Sequence, residues 1–138
     1  MVNQGVLAAR LERLREYLGV LSSIVGYDVN RFVQDPFIHG TAERNLHLAI
    51  ECLLDIGNHV ISDCGLPKPE SYADIFRILG EQGLIPPGIL KEIEGMAAFR
   101  NVLVHDYLRL DRVRVYQILR EKLESMKKLG EIFGGMIS

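Results

Sequence analysis

The stretch Phe99-Arg100-Asn101-Val102-Leu103-Val104-His105-Asp106-Tyr107 decides how this chain reads. Counting back from it, Ile89, Ile93 and Met96 recur at steps of four and three, the apolar stripe of an amphipathic helix. The same steps run on through Arg100, Leu103 and Tyr107, so the spacing predicts one helix, started by Pro86-Pro87, that carries the whole stretch. An arginine on that stripe needs a reason, because an unpaired buried charge costs several kcal/mol. The stripe must open there onto a cleft, a partner chain or an anion.

On a helix turning about 100° per residue, Arg100 and Tyr107 lie about 20° apart, and Asn101 and His105 lie about 40° apart on the neighbouring strip. Four polar groups then share one side. Arg100 is a permanent cation with a planar fork of donors suited to phosphate, and His105 is the side chain best able to exchange a proton near neutral pH. Asn101 can hold the imidazole and Tyr107 can offer a hydroxyl. These residue types describe a small anion site containing an acid or base, although by spacing alone Arg100 and His105 also suit a structural pair buried between helices.

Outward from this stretch the chain reads as helices throughout. Leu7, Leu11, Leu14, Leu18, Leu21 and Val25 step by four and three, predicting a long amphipathic helix that ends near Gly26. Asp28 to Gln34 suits a short helix broken by Asp35-Pro36. Thr41 reads as the N-cap of a helix with Leu46, Ile50, Leu53 and Val60 inward, ending about Cys64-Gly65. Pro67 and Pro69 stiffen the connection to a shorter helix, capped by Ser71, that carries Tyr72, Ile75, Phe76 and Leu79 and stops at Gly80 and Gly83. Leu110-Asp111 marks the break before a last helix with Tyr116, Leu119, Leu123, Met126 and Phe133 on its stripe. No run alternates cleanly between apolar and polar, so the expected fold class is all-α, an antiparallel bundle of about five helices.

The chain of 138 residues is the size of one domain, expected to span residues 1–138 and able to bury roughly two-thirds of its unfolded surface. No stretch approaches the roughly 20 apolar residues of a spanning helix, and no signal segment is visible. Cys52 and Cys64 lack any Cys-x-x-Cys spacing and would lie roughly 18 Å apart along one helix, so reduced thiols in the cytoplasm are expected. The net charge of −2 argues against a protein that coats nucleic acid. Its distribution is uneven: Arg100 to Lys128 holds eight basic residues against four acidic, leaving eight against fourteen elsewhere. The motif and the helix after it form the positive part.

Other chemistries are less well supported. Glu43 with His47, and Asp55, His59 and Asp63, are spaced by four and share helix faces, but there is no His-Glu-x-x-His and neither cysteine completes a zinc pattern. They read as capping and surface pairing, and no metal or cofactor is expected. His39, beside Gly40, reads as a loop residue. The glycines are scattered as terminators rather than gathered in a phosphate loop, and no Gly-x-Ser-x-Gly elbow exists.

Arg100, four residues, His105, one residue, Tyr107 resembles the Arg-x4-His-x-Tyr signature of the HepT-like branch of the HEPN superfamily, the toxin half of HepT/MNT (type VII) toxin–antitoxin pairs. Glu43-Arg44 opening an apolar helix, Asp55 to Ile61 closing it, and Tyr72 to Leu79 followed by Gly83-Leu84-Ile85-Pro86 are similar to the same family, so the likeness covers most of the chain. The resemblance implies a metal-independent endoribonuclease with Arg100, His105 and Asn101 as catalytic residues. It implies a homodimer whose two motif helices line one cleft, which would also account for Arg100 on an apolar stripe. It further implies an RNA substrate and a nucleotidyltransferase antitoxin that attaches AMP to Tyr107. The alternative is a non-catalytic HEPN module that binds a nucleotide or docks a nucleotidyltransferase.

Overall fold

The computed structural model describes residues 4–137, apart from the side chain of Tyr107. It is all-helical, and the described residues contain no strand. Seven α-helices follow in order: α1 (Gln4–Ile24), α2 (Val29–Gln34), α3 (Pro36–Asp63), α4 (Tyr72–Glu81), α5 (Pro87–Glu92), α6 (Met96–His105) and α7 (Arg112–Gly134), with a 3-10 turn over Tyr107–Arg109. Five of these are ten residues or longer and form the expected bundle; α2 and α5 are six-residue connectors.

The bundle is organised around α3, which packs against α1, α2, α4, α6 and α7. Its buried residues, among them Leu46, Ile50, Leu53, Leu54, Ile56 and Ile61, point to more than one side, as a helix enclosed by neighbours requires. The α1 stripe of Leu7, Leu11, Leu14, Leu18 and Leu21 is buried as its spacing predicts, as are Leu119, Leu123, Met126 and Phe133 of α7. Gly57 admits close contact between α3 and α4: a Cβ there would stand 2.7 Å from Ile75 Cγ2. That approach sets the first turn of α4 beside the C-terminal part of α3.

Several boundaries differ from the sequence reading. The long helix starts at Pro36, not after Thr41, because Asp35 Oδ1 accepts the Phe37 N–H at 2.9 Å and proline fits the first helical position. His39 is consequently a buried helical residue rather than a loop residue, with its Nδ1 accepting from Arg112 Nε at 3.1 Å. Ser71 stands at the N-cap of α4 without a side-chain cap bond; instead Asp74 reaches back to accept the Glu70 N–H at 3.0 Å. The predicted helix through the motif is in fact two. It breaks between Glu92 and Met96, where Gly95 takes φ +83°, a left-handed conformation that interrupts the helix. Ile93 and Met96 stay buried across the break, so the apolar stripe survives it.

Candidate functional site

Arg100 and Asn101 sit in the middle of α6, and His105 is its last residue. The three side chains line one cleft of about 860 Å³, whose opposite wall is the first turn of α4 (Ser71, Tyr72, Ala73) with Lys68 and Asn58 at its margins. The sequence reading brought these three groups to one side, and the fold places them together. Tyr107 is different. The helix ends before it, at Asp106, so Tyr107 belongs to the 3-10 turn and the 20° helical offset from Arg100 does not apply. Its side chain lies outside the described residues.

Arg100 is nearly enclosed, with 12% of its side chain exposed, and it is not an unpaired charge. Its Nη2 donates to Glu51 Oε1 on α3, and its Nη1 donates to Asn101 Oδ1 at 3.0 Å. Its guanidinium lies over the Tyr72 ring, 5.1 Å from the centroid. The Nε–H is buried without a partner. Glu51 is shared: its other oxygen stands 2.9 Å from His47 Nε2. Burial by itself would raise the Glu51 carboxyl; the Arg100 hydrogen bond and the charges of His47 and Arg100 outweigh it and hold the group below its ordinary value. His105, by contrast, is exposed and forms no hydrogen bond or ion pair with a described side chain.

The arrangement therefore joins a held cation to an exposed imidazole. Glu51 and Asn101 fix two arms of the guanidinium fork, while the imidazole at the helix end can meet an incoming group. The metal-type faces considered from sequence are otherwise engaged. Asp55 pairs with Arg10 and lies 3.9 Å from His59, and Glu43 lies 3.4 Å from His39 and 3.8 Å from Arg112.

Sequence reasoning missed Glu51 and gave Tyr72 no part in the site. A signal for Glu51 existed, since it is the one carboxylate between Leu46 and Leu54, the counterpart of a lone arginine on an apolar stripe. Its spacing groups Tyr72 with Ile75, Phe76 and Leu79, yet it is 47% exposed where those three are buried. Its position in the first turn of α4 puts it at the cleft instead of over the core.

The Glu51 pair has a consequence for stability. A carboxyl whose folded value lies below its unfolded one stabilises the protein above the unfolded value, and that contribution disappears as pH falls through the folded one. Glu51→Gln is therefore expected to lower Tm at pH 7, with the gap closing in acid as the native Glu51 becomes neutral. Thermal unfolding from neutral pH into acid checks it, and a gap that does not narrow as the pH falls would contradict the pairing.

The chain matches the model of the family described as Ribonuclease HepT-like over residues 11–131. It is 24% identical over 127 residues to the mRNA nuclease HepT of Shewanella oneidensis, covering 92% of this chain and 95% of that protein. It is 25% identical over 119 residues to the tRNA nuclease HepT of Aphanizomenon flos-aquae, covering 86% and 81% of the two. Among solved structures, the tri-AMPylated Shewanella oneidensis HEPN toxin in complex with MNT antitoxin shares its fold, with a TM-score of 0.84 over 94% of this chain and 97% of that one at 24% identity. With its family model spanning both the central helix α3 and the cleft residues of α6, the chain belongs to the Ribonuclease HepT-like family.

Proposed function

We propose that this protein is a metal-independent endoribonuclease that acts as the toxin of a toxin–antitoxin pair. RNA carries its own nucleophile: once a base takes its proton, a 2′-hydroxyl attacks the adjacent phosphate, the O2′–P bond forms and the P–O5′ bond breaks. His105 acts as that base or as the acid that protonates the leaving oxygen. Arg100 stabilises the added charge on the crowded phosphate, and Asn101 orients the guanidinium. The products carry a 2′,3′-cyclic phosphate and a 5′-hydroxyl. The observation that carries this reading is the convergence of Arg100, Asn101 and His105 on one cleft large enough for a nucleotide, in a chain of a ribonuclease family.

The nuclease names of the two HepT relatives support the activity, and the complex of the Shewanella toxin with an MNT antitoxin supports the partner. The working form in this reading is a homodimer in the cytoplasm. Because Arg100 is paired within its own chain, its place on the stripe no longer argues for a second copy. Support comes instead from an apolar cleft of about 410 Å³ on another side of α6, lined by Phe99, Val102, Ile118 and Met126, and from exposed Leu108 and Val113. Light scattering is expected to return twice the 15.6 kDa chain mass; a monomer at micromolar concentration would count against the dimer. Among the described residues no helix is long and apolar enough to cross a membrane.

The antitoxin, a nucleotidyltransferase, is proposed to transfer AMP from ATP to the Tyr107 hydroxyl with release of pyrophosphate. The backbone of Tyr107 follows the His105 end of the cleft by two residues, so an added phosphate would compete for the cation that RNA needs. Incubation with antitoxin and ATP is expected to add the mass of AMP to the native protein and not to Tyr107→Phe. An adduct that persists in Tyr107→Phe, on another residue, removes Tyr107 from the switch. Expression of this chain alone is expected to slow growth, and co-expression of the antitoxin to restore it. The non-catalytic alternative draws support from the Arg100–Glu51 pair, which already neutralises the cation; it predicts no growth effect and no RNA cleavage.

A further inference from the structure

We infer that Tyr72 and Asn58 form a base-binding subsite beside the Arg100–His105 cleft, through which the protein reads one nucleotide flanking the bond it cuts. The inference rests on the ribonuclease reading above and adds to it a specificity-determining contact. Two facts about Tyr72 conflict with a packing role. It lies on the apolar face of α4 yet remains about half exposed, and its ring is already placed against a guanidinium, that of Arg100. Local rules of burial tend to fail where function requires it.

Tyr72 also forms a ridge between two openings. One is the cleft of Arg100, Asn101 and His105; the other, of about 480 Å³, lies between α1, α3 and α4 and is lined by Arg10, Arg13, Tyr17 and Asp55. Asn58, exposed on α3, borders both, and its amide makes no hydrogen bond to a described residue. Single-stranded RNA is recognised by unstacked bases that lie on aromatic rings and present their edges to side-chain donors and acceptors. An open phenol beside an open carboxamide supplies both.

The charges favour a base over the sugar–phosphate backbone as the occupant. A groove that tracks phosphates is net positive. Here Arg10 is held by Asp55, Arg13 stands 3.6 Å from Glu16, and Glu51 is held by Arg100. The second opening is thus balanced, with the part of the Tyr72 ring that Arg100 leaves exposed and the Asn58 amide turned to solvent.

Cleavage of a single-stranded RNA pool with randomised bases tests this, using the native protein, Tyr72→Phe, Tyr72→Leu and Asn58→Ala, each checked for its helical spectrum. The native protein is expected to favour one base at one position next to the cut bond. Asn58→Ala should flatten that preference about tenfold. Tyr72→Leu, which still covers Arg100 but cannot stack, should raise KM roughly tenfold with little change in kcat, while Tyr72→Phe stays near native. Absence of any base preference in the native protein, or native preference and KM in both Asn58→Ala and Tyr72→Leu, overturns the subsite. So does a fall in kcat alone for Tyr72→Leu, which would make the ring a support for Arg100. A parallel arm separates the two levels of argument: His105→Ala is used to measure binding of short RNAs with and without Tyr72→Leu. Tyr72-dependent binding from a native protein that cuts nothing would sink the nuclease reading and leave the base subsite standing; Tyr72-independent binding would remove the subsite.

Discussion

Replacing His105 with alanine is expected to lower the rate of RNA cleavage by about a hundredfold to ten-thousandfold, the usual contribution of a positioned proton-transfer group. The fold should be untouched. His105 is exposed at the last turn of α6 and bonds to no described side chain, so its removal opens no core cavity and orphans none of those side chains. The expected signature is a native helical spectrum and Tm, a KM close to native, and a collapsed kcat. Toxicity on expression should disappear with it. Cleavage within tenfold of native, from a variant with an unaltered spectrum, would take His105 out of the mechanism.

Arg100→Ala is expected to lower kcat by about a hundredfold to a thousandfold, the range for deleting one preorganised charge from a developing anion. Unlike the histidine variant, it should also lose stability. From the sequence alone both side chains read as cleft groups whose loss leaves the fold intact, but the guanidinium is nearly enclosed, covers the Tyr72 ring and is the partner of Glu51. Removing it leaves a half-buried carboxylate with His47 still beside it. Arg100→Lys separates the two effects: it keeps the charge and some of the packing but loses the fork that holds Glu51 and Asn101 at once. It should recover Tm more fully than kcat. Full activity in Arg100→Lys would show that the fork is dispensable, and native activity in Arg100→Ala would exclude the cation from catalysis.

The parts of this molecule that were legible in its sequence are those governed by period. Leucines at steps of four and three in α1, and the stripe of α7 after Asp111, fix those helices because burial of an apolar face is a local pattern with one solution. The cluster of Arg100, Asn101 and His105 was legible for the same reason, lying within six residues of one helix. What the period could not supply was the partner across the bundle. Glu51 meets Arg100 only because α3 and α6 pack together, a long-range fact that spacing does not encode. The break at Gly95 was obscured because Ile93 and Met96 keep the step of three on either side of it, so the pattern continues where the backbone does not. Tyr107 fell on the far side of a second break, at Asp106, where counting by helical turns ceases to apply. Tyr72 was not legible as a cleft residue because its spacing groups it with Ile75, Phe76 and Leu79, which are buried while it stays exposed.

In the proposed mechanism the cleft of Arg100 and His105 cuts RNA through the substrate's own 2′-hydroxyl. It is tested most directly with a short RNA of known cleavage position, made with and without a single 2′-deoxy residue on the 5′ side of the cut bond, in excess EDTA. The account predicts cleavage of the all-ribo strand into fragments ending in a 2′,3′-cyclic phosphate and beginning with a 5′-hydroxyl, read by mass spectrometry, and no cut at the deoxy-substituted bond. Continued cutting at that bond, fragments with 5′-phosphates, or loss of all activity in the chelator would contradict it.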